Sequence, residues 1–145
     1  MIPDRSAPTV AAVTFDLDDT LFAQSEWLAG AWDAVADAAP AGVDRDGLRA
    51  ALGRIAAQGS DRGAIVDRAL REVGRPEVAV GPLVDAFHQY RPGRLTAHPG
   101  ARDGVARLRR RVPVALVSDG DVGVQLGKLR ALGLADAFDV VVLSD

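Results

Sequence analysis

Two polar clusters interrupt apolar runs in this chain, and both have the residue types for chemistry. Asp16-Leu17-Asp18-Asp19-Thr20 follows Val10–Phe15 directly, and Ser118-Asp119-Gly120 follows Val112–Val117. In an extended segment alternate residues share a face, so Asp16 and Asp18 point toward one site. Two close carboxylates repel, and a bound cation or a retained proton relieves the repulsion. With Mg²⁺, oxygen donors and a ligand phosphate would complete an octahedral shell. One carboxylate could then attack phosphorus while the other handles the leaving group's proton. Ser118 would supply a hydroxyl, and the backbone N–H groups after it an anion-binding nest. A lone Asp-x-Asp is far more often a strand-to-helix turn with an Asx bend and an N-cap. Its place after one apolar strand, with a second polar cluster after the next, favours the chemical reading.

The elements that would position these clusters follow from hydrophobic periodicity. Val10–Phe15, Val112–Val117 and Phe138–Leu143 are short apolar runs suited to buried strands. Between the first two, four helical patterns follow one another. The first runs over 25–39 with a Trp27, Leu28, Ala31, Trp32, Val35 and Ala39 stripe, and the second starts from an Asp44 N-cap. The third covers 61–73 with Gly74 closing it, and the fourth begins near Pro82. A further helix over 101–110 precedes the second strand, and one over 122–132 ends at Gly133. Strand, helices, strand, helix, strand predicts an α/β fold with a Rossmann-like parallel sheet. Right-handed crossovers place the carboxyl ends of the strands, and so both polar clusters, on the edge where open sheets bind ligands.

With 145 residues, 48% hydrophobic and 26% charged, the chain has the composition of an ordinary globular protein. A net charge of −3 argues against an electrostatic nucleic-acid binder. The one run of cations, Arg109-Arg110-Arg111, falls at a helix end, where it suits the dipole. Without cysteine there are no disulfides, thiolate metal sites or cysteine nucleophiles. The first nine residues lack the apolar core of a signal peptide, and no apolar run is long enough to span a bilayer, so a cytoplasmic location without membrane contact is expected.

Phe15-Asp16-Leu17-Asp18-Asp19-Thr20-Leu21 resembles the first signature motif of the haloacid dehalogenase-like (HAD) hydrolase superfamily. Val117-Ser118-Asp119-Gly120 resembles its second, with Asp119 where Asn is more usual. His98-Pro99-Gly100-Ala101, and Leu129 to Leu134 running on to Phe138-Asp139, are also similar to the family, so the likeness extends from Val10 to Asp145. It implies that Asp16 is the nucleophile that forms an aspartyl-phosphate and that Asp18 is the general acid and base. It also implies Mg²⁺ held by Asp16 and the Asp18 backbone carbonyl, and a phosphate loop of Ser118 and Asp119. Asp18 favours a phosphatase acting on a small phosphorylated metabolite, since the family's dehalogenases lack that second aspartate. Residues 1–21 and 91–145 would form the core, and 22–90 a small helical cap. The family's remaining motifs, a lysine after the third strand and an acidic cluster after the fourth, would lie beyond Asp145. The resemblance therefore implies a C-terminally truncated core of about three strands.

The other polar residues have plainer readings. Lys128, the only lysine, reads as a solvated helix residue, as do Arg54, Arg62 and Arg68. His88 and His98 read as structural or solvated, Trp27 and Trp32 as cap core, Asp19 as structural, and Thr20 as orienting the motif loop. A second function class stays open. The domain could be a non-catalytic module that pairs with a partner chain, or with a second copy, across the open edge of strand 10–15. A phosphoacceptor receiver domain is disfavoured by the four helices between the first two strands.

Overall fold

The computed structural model describes residues 10–59 and 64–144. Strands β1 (Val13–Phe15), β2 (Val114–Asp119) and β3 (Val140–Ser144) form a parallel sheet in the order β1-β2-β3. Between β1 and β2 run α1 (Gln24–Asp37), α2 (Arg45–Ala56), α3 (Ile65–Glu72), α4 (Val80–Gln89) and α5 (Ala101–Arg109), and α6 (Val122–Leu132) joins β2 to β3. This is the expected open α/β, Rossmann-like arrangement. Among the described residues no helix is long and apolar enough to cross a membrane.

Sheet register explains which side chains are buried. Val13 lies opposite Val114, Phe15 opposite Leu116, and Leu116 opposite Val141. In a parallel pair such partners share a face. The face with Val114, Leu116 and Ser118 is buried and joins a core with Val105 of α5 and Val124, Leu129 and Leu132 of α6. The opposite face, with Thr14, Val117, Val140 and Val142, is exposed. The expectation of strands buried on both faces therefore fails for this sheet. Both of its neighbouring helices pack on one side, as right-handed crossovers in a single direction require.

Strand bounds also move inward. Val10, read as the start of the first strand, is exposed, and pairing begins at Val13, whose N–H donates to the Pro113 carbonyl (3.0 Å). Pro113 has no N–H to give, so β2 starts at Val114 rather than Val112. Phe138 packs in the core and Asp139 turns the chain. The Asp139 carboxylate accepts from the Val114 N–H (2.9 Å) and pairs with Arg109 (2.8 Å), so β3 starts at Val140. Those two contacts, the Val114 hydrogen bond first, hold the Asp139 carboxyl below its ordinary value.

The α1–α4 layer has its own apolar cluster, built on Val35, Leu48, Leu52, Val66, Leu70 and Leu83. Asp44 caps α2 by accepting from the Gly47 N–H (3.1 Å), and Gly74 takes the left-handed conformation after α3, both as expected. Helix α4 starts two residues before Pro82, which still falls in its first turn. The start expected for α3 at Asp61 lies outside the described residues. Helix α1 belongs to both clusters, with Trp27 and Ala31 facing the sheet core and Trp32 and Val35 facing the helical layer.

Candidate active site

The turn after β1 is tight. The Leu17 carbonyl accepts from the Thr20 (3.3 Å) and Leu21 (3.0 Å) N–H groups, while Leu17 itself is buried and anchors the loop. Asp19 adopts a left-handed φ of 55°, a conformation that Asp tolerates better than most residues. Its carboxylate accepts from the Gln24 N–H (2.8 Å) and caps α1, which matches its structural reading. The Leu21 carbonyl accepts from the His98 N–H (2.8 Å), so the loop before α5 is stitched to the motif loop by the His98 backbone.

The two clusters meet. Asp16, Asp18, Val117, Ser118 and Asp119 line one small cavity at the carboxyl ends of β1 and β2. Asp16 is exposed there, whereas Asp18 is half-buried and fully engaged. Lys128 Nζ donates to both Asp18 oxygens (2.8 and 2.9 Å), and Gln125 Nε2 donates to Asp18 Oδ2 (3.0 Å). The same Gln125 amide reaches Ser118 Oγ (2.8 Å) and the Asp119 carbonyl (2.9 Å), placing three acceptors around two hydrogens. Ser118 thus accepts from Gln125, and its own hydroxyl proton has no acceptor among the described residues.

Lys128 requires a correction. It is 3% exposed, not solvated, and its ammonium lies 4.5 Å from the centre of the Trp27 ring. Burial pushes it below the ordinary lysine value, against the opposing pull of Asp18 and, more weakly, of Asp16 and Asp19. Neither Lys128 nor Gln125 belongs to the signature motifs. The available signal was their spacing: three apart on α6, they share the face that buries Val124, Leu129 and Leu132.

The anion nest expected after Ser118 is also altered. The Gly120 N–H donates to the Ser144 carbonyl (2.7 Å), and the Asp119 carboxylate accepts from the Ser144 hydroxyl. Both groups are therefore tied to β3, which takes the Gly120 N–H out of the nest, while the Ser118 hydroxyl remains a donor available to an anion.

For a metal the donor set is all oxygen, the chemistry a hard cation such as Mg²⁺ selects. The described residues form no cluster of three metal-binding side chains. Asp18's carboxylate is occupied by Lys128 and Gln125, so its backbone carbonyl is the atom it can offer. Asp16 with that carbonyl fits the usual Mg²⁺ pattern of one or two protein ligands completed by waters and phosphate.

Other predicted residues lie elsewhere. Arg54 pairs with Glu72, and Arg68 donates to Gln58 (3.1 Å), so both brace the helical layer. Arg62 lies outside the described residues. Trp32 packs in the helical layer's cluster, whereas Trp27 joins the sheet core rather than that layer, and both also line a second cavity.

The haloacid dehalogenase-like hydrolase family profile matches residues 10–145. The chain belongs to that family. No curated protein matches this HAD-like chain, but solved structures share its fold. The Bacillus subtilis protein YfnB, described as a HAD-hydrolase and solved with magnesium, aligns at TM-score 0.61 and 18% identity, covering 92% of this chain and 63% of its own. L-2-haloacid dehalogenase from Xanthobacter autotrophicus aligns at TM-score 0.55 and 23% identity, covering 93% and 57%. A candidate β-phosphoglucomutase from Thermotoga maritima aligns at TM-score 0.52 and 21% identity, covering 92% and 61%. The HAD-like chain thus spans less than two thirds of each of these structures, which act on different chemistries by their descriptions.

Proposed function

We propose that the chain carries the site of a phosphatase-type HAD hydrolase acting on a small phosphorylated metabolite, with α1–α4 and their loops (22–90) as a cap over a core of 1–21 and 91–145. The observation that carries this reading is the cavity shared by Asp16, Asp18 and Ser118. Asp16, exposed and free of the Lys128 clamp, attacks phosphorus, and the bond to the leaving oxygen breaks as the aspartyl-phosphate forms. The Asp18–Lys128 pair gives the leaving oxygen its proton, Asp18 passing on the ammonium proton that the two share. A water then attacks the same phosphorus, the bond between Asp16 and phosphorus breaks to restore the Asp16 carboxylate, the water's proton returns to the Asp18–Lys128 pair, and phosphate departs. Ser118 donates its free hydroxyl proton to a phosphoryl oxygen, and Gln125 fixes the direction of that hydroxyl. Lys128 neutralises the Asp18 carboxylate, so an incoming dianion meets one bare carboxylate rather than two. Mg²⁺, when bound by the Asp16 carboxylate and the Asp18 carbonyl, would offset charge between the nucleophile and the phosphoryl group. The presence of Asp18 favours a phosphate ester over a halide, because a departing halide needs no proton.

Hydrolysis of a generic phosphate ester with Mg²⁺ tests this. Asp16→Asn is expected to bring the rate to background, and Asp18→Asn to lower it by about 10²–10⁴-fold. Equal rates for wild type and Asp16→Asn would exclude the reading.

A second reading, a binding module, is favoured by the sheet itself. Val117, Val140 and Val142 are 45%, 53% and 49% exposed on one face, and β1 has β2 as its one neighbour among the described strands. A partner chain or a second copy would cover such a surface. Light scattering across a concentration series is expected to show association that Val117→Thr/Val142→Thr removes; a monomer throughout would contradict it.

A further inference from the structure

A second cavity, of about 370 Å³, lies beside the first and shares Asp18 and Asp119 with it. That volume is in the range of small-molecule sites. Its two walls differ in chemistry. The strand ends and α6 supply Asp18, Asp119, Asp121, Gln125 and Lys128, which bind one another, β3 or, for Asp121, the first turn of α6. The Gln125 Oε1 is sealed from solvent and without a partner among the described residues. The helical layer supplies Leu28, Trp32, Ile65, Val80, Val84 and Phe87. Among the described residues, the polar side chains that α1–α4 contribute are Gln24, at the first residue of α1, and His88, in the last turn of α4. The indole N–H groups of Trp27 and Trp32 are sealed from solvent, so carbon atoms are what these two rings expose to the cavity.

We propose that this cavity holds the apolar body of a phosphate monoester whose phosphoryl group sits between Asp16 and Ser118, making the substrates alkyl- or aryl-type monophosphates rather than sugar phosphates. The proposal rests on the phosphoryl reading of the neighbouring cavity and names its substrate class. A sugar placed here would exchange water for walls of Leu, Ile, Val and Phe, leaving hydroxyls unpaired, which is costly. An alkyl chain loses nothing by the same move and gains with each methylene buried. The shared residues set the order of groups: the charged end lies toward Asp16 and Ser118, the apolar end toward α3 and α4.

The chain's two tryptophans, Trp27 and Trp32, both line this cavity, so intrinsic fluorescence reports on its filling without any need for turnover. Ethyl-, butyl- and hexylphosphonic acid, which cannot be hydrolysed, would be titrated into the intact chain beside glycerol phosphate and hexanol. The expected result is affinity rising about fourfold per methylene, with hexylphosphonate well ahead of glycerol phosphate. Val84→Asp is expected to flatten that rise while leaving ethylphosphonate unchanged. Val84→Phe, a filling variant that adds no charge, should weaken hexylphosphonate alone, and so keeps the test valid if Val84→Asp does not fold. Equal binding of ethyl- and hexylphosphonate, or tighter binding of glycerol phosphate, overturns the proposal and leaves the phosphoryl reading standing. A rise with chain length in which hexanol binds as well as hexylphosphonate overturns the phosphoryl reading on which the proposal depends.

Discussion

Lys128 reaches Asp18 from one turn beyond Gln125, and the two side chains leave α6 on its buried face. A buried ammonium facing a mostly shielded carboxylate is poorly solvated, so each ion depends on the other. Lys128→Met keeps the stem's packing against Trp27 and removes the charge. It is expected to lower stability by about 3 kcal/mol in urea melts, and adding Asp18→Asn to it should restore more than half. A loss under about 0.5 kcal/mol, the worth of an exposed pair, would contradict this placement. The residue scale is also where the sequence was both most and least informative. Asp16, Asp18 and Ser118 were legible because carboxylates and a hydroxyl placed directly after apolar strands do little for packing and much for binding. Lys128 was not, because a lone lysine on a helix is usually solvated. Only the fold shows that its face points at the Asp16–Thr20 turn, more than a hundred residues earlier.

Helix α1 links the sheet core to the helical layer, and its fit depends on a residue with no side chain. A Cβ at Gly30 would lie 2.0 Å from the Tyr90 hydroxyl, and Tyr90 packs on Trp27 with ring centres 5.8 Å apart. Helix propensity alone predicts that Gly30→Ala gains up to about 1 kcal/mol; the clash predicts a net loss of about 1–3 kcal/mol. Gly53, in α2, has open space around its Cβ position, so Gly53→Ala should gain the propensity term. Urea midpoints moving in opposite directions would support this packing, and a gain at both positions would refute it. Element order was legible throughout, since the helices between the first two strands carry apolar stripes, the later ones lie between strands and end at turn residues, and each strand is a short apolar run. Strand edges were not. Val10 and Val112 look as apolar as their neighbours, but hydrogen bonding, set by Pro113 and Asp139, decides where pairing begins.

At the scale of the whole molecule, two parallel crossovers bring loops from residues 16–20 and 118–121 to one edge, and the helical layer roofs a cavity beside them. The convergence was readable from topology rules alone. The open valine face was not, because an apolar run reads the same whether one face or both are covered. Asp16 is the group the fold leaves free to attack, while Asp18 is held by Lys128 and Gln125, and the proposed chemistry stands or falls on that difference. The most direct measurement is an acid quench of the chain with Mg²⁺ and a phosphate monoester, followed by mass spectrometry of its peptides. The predicted result is a phosphoryl adduct on Asp16 that disappears in Asp16→Asn. An adduct on another residue, or none on Asp16 while ester is being hydrolysed, would contradict it.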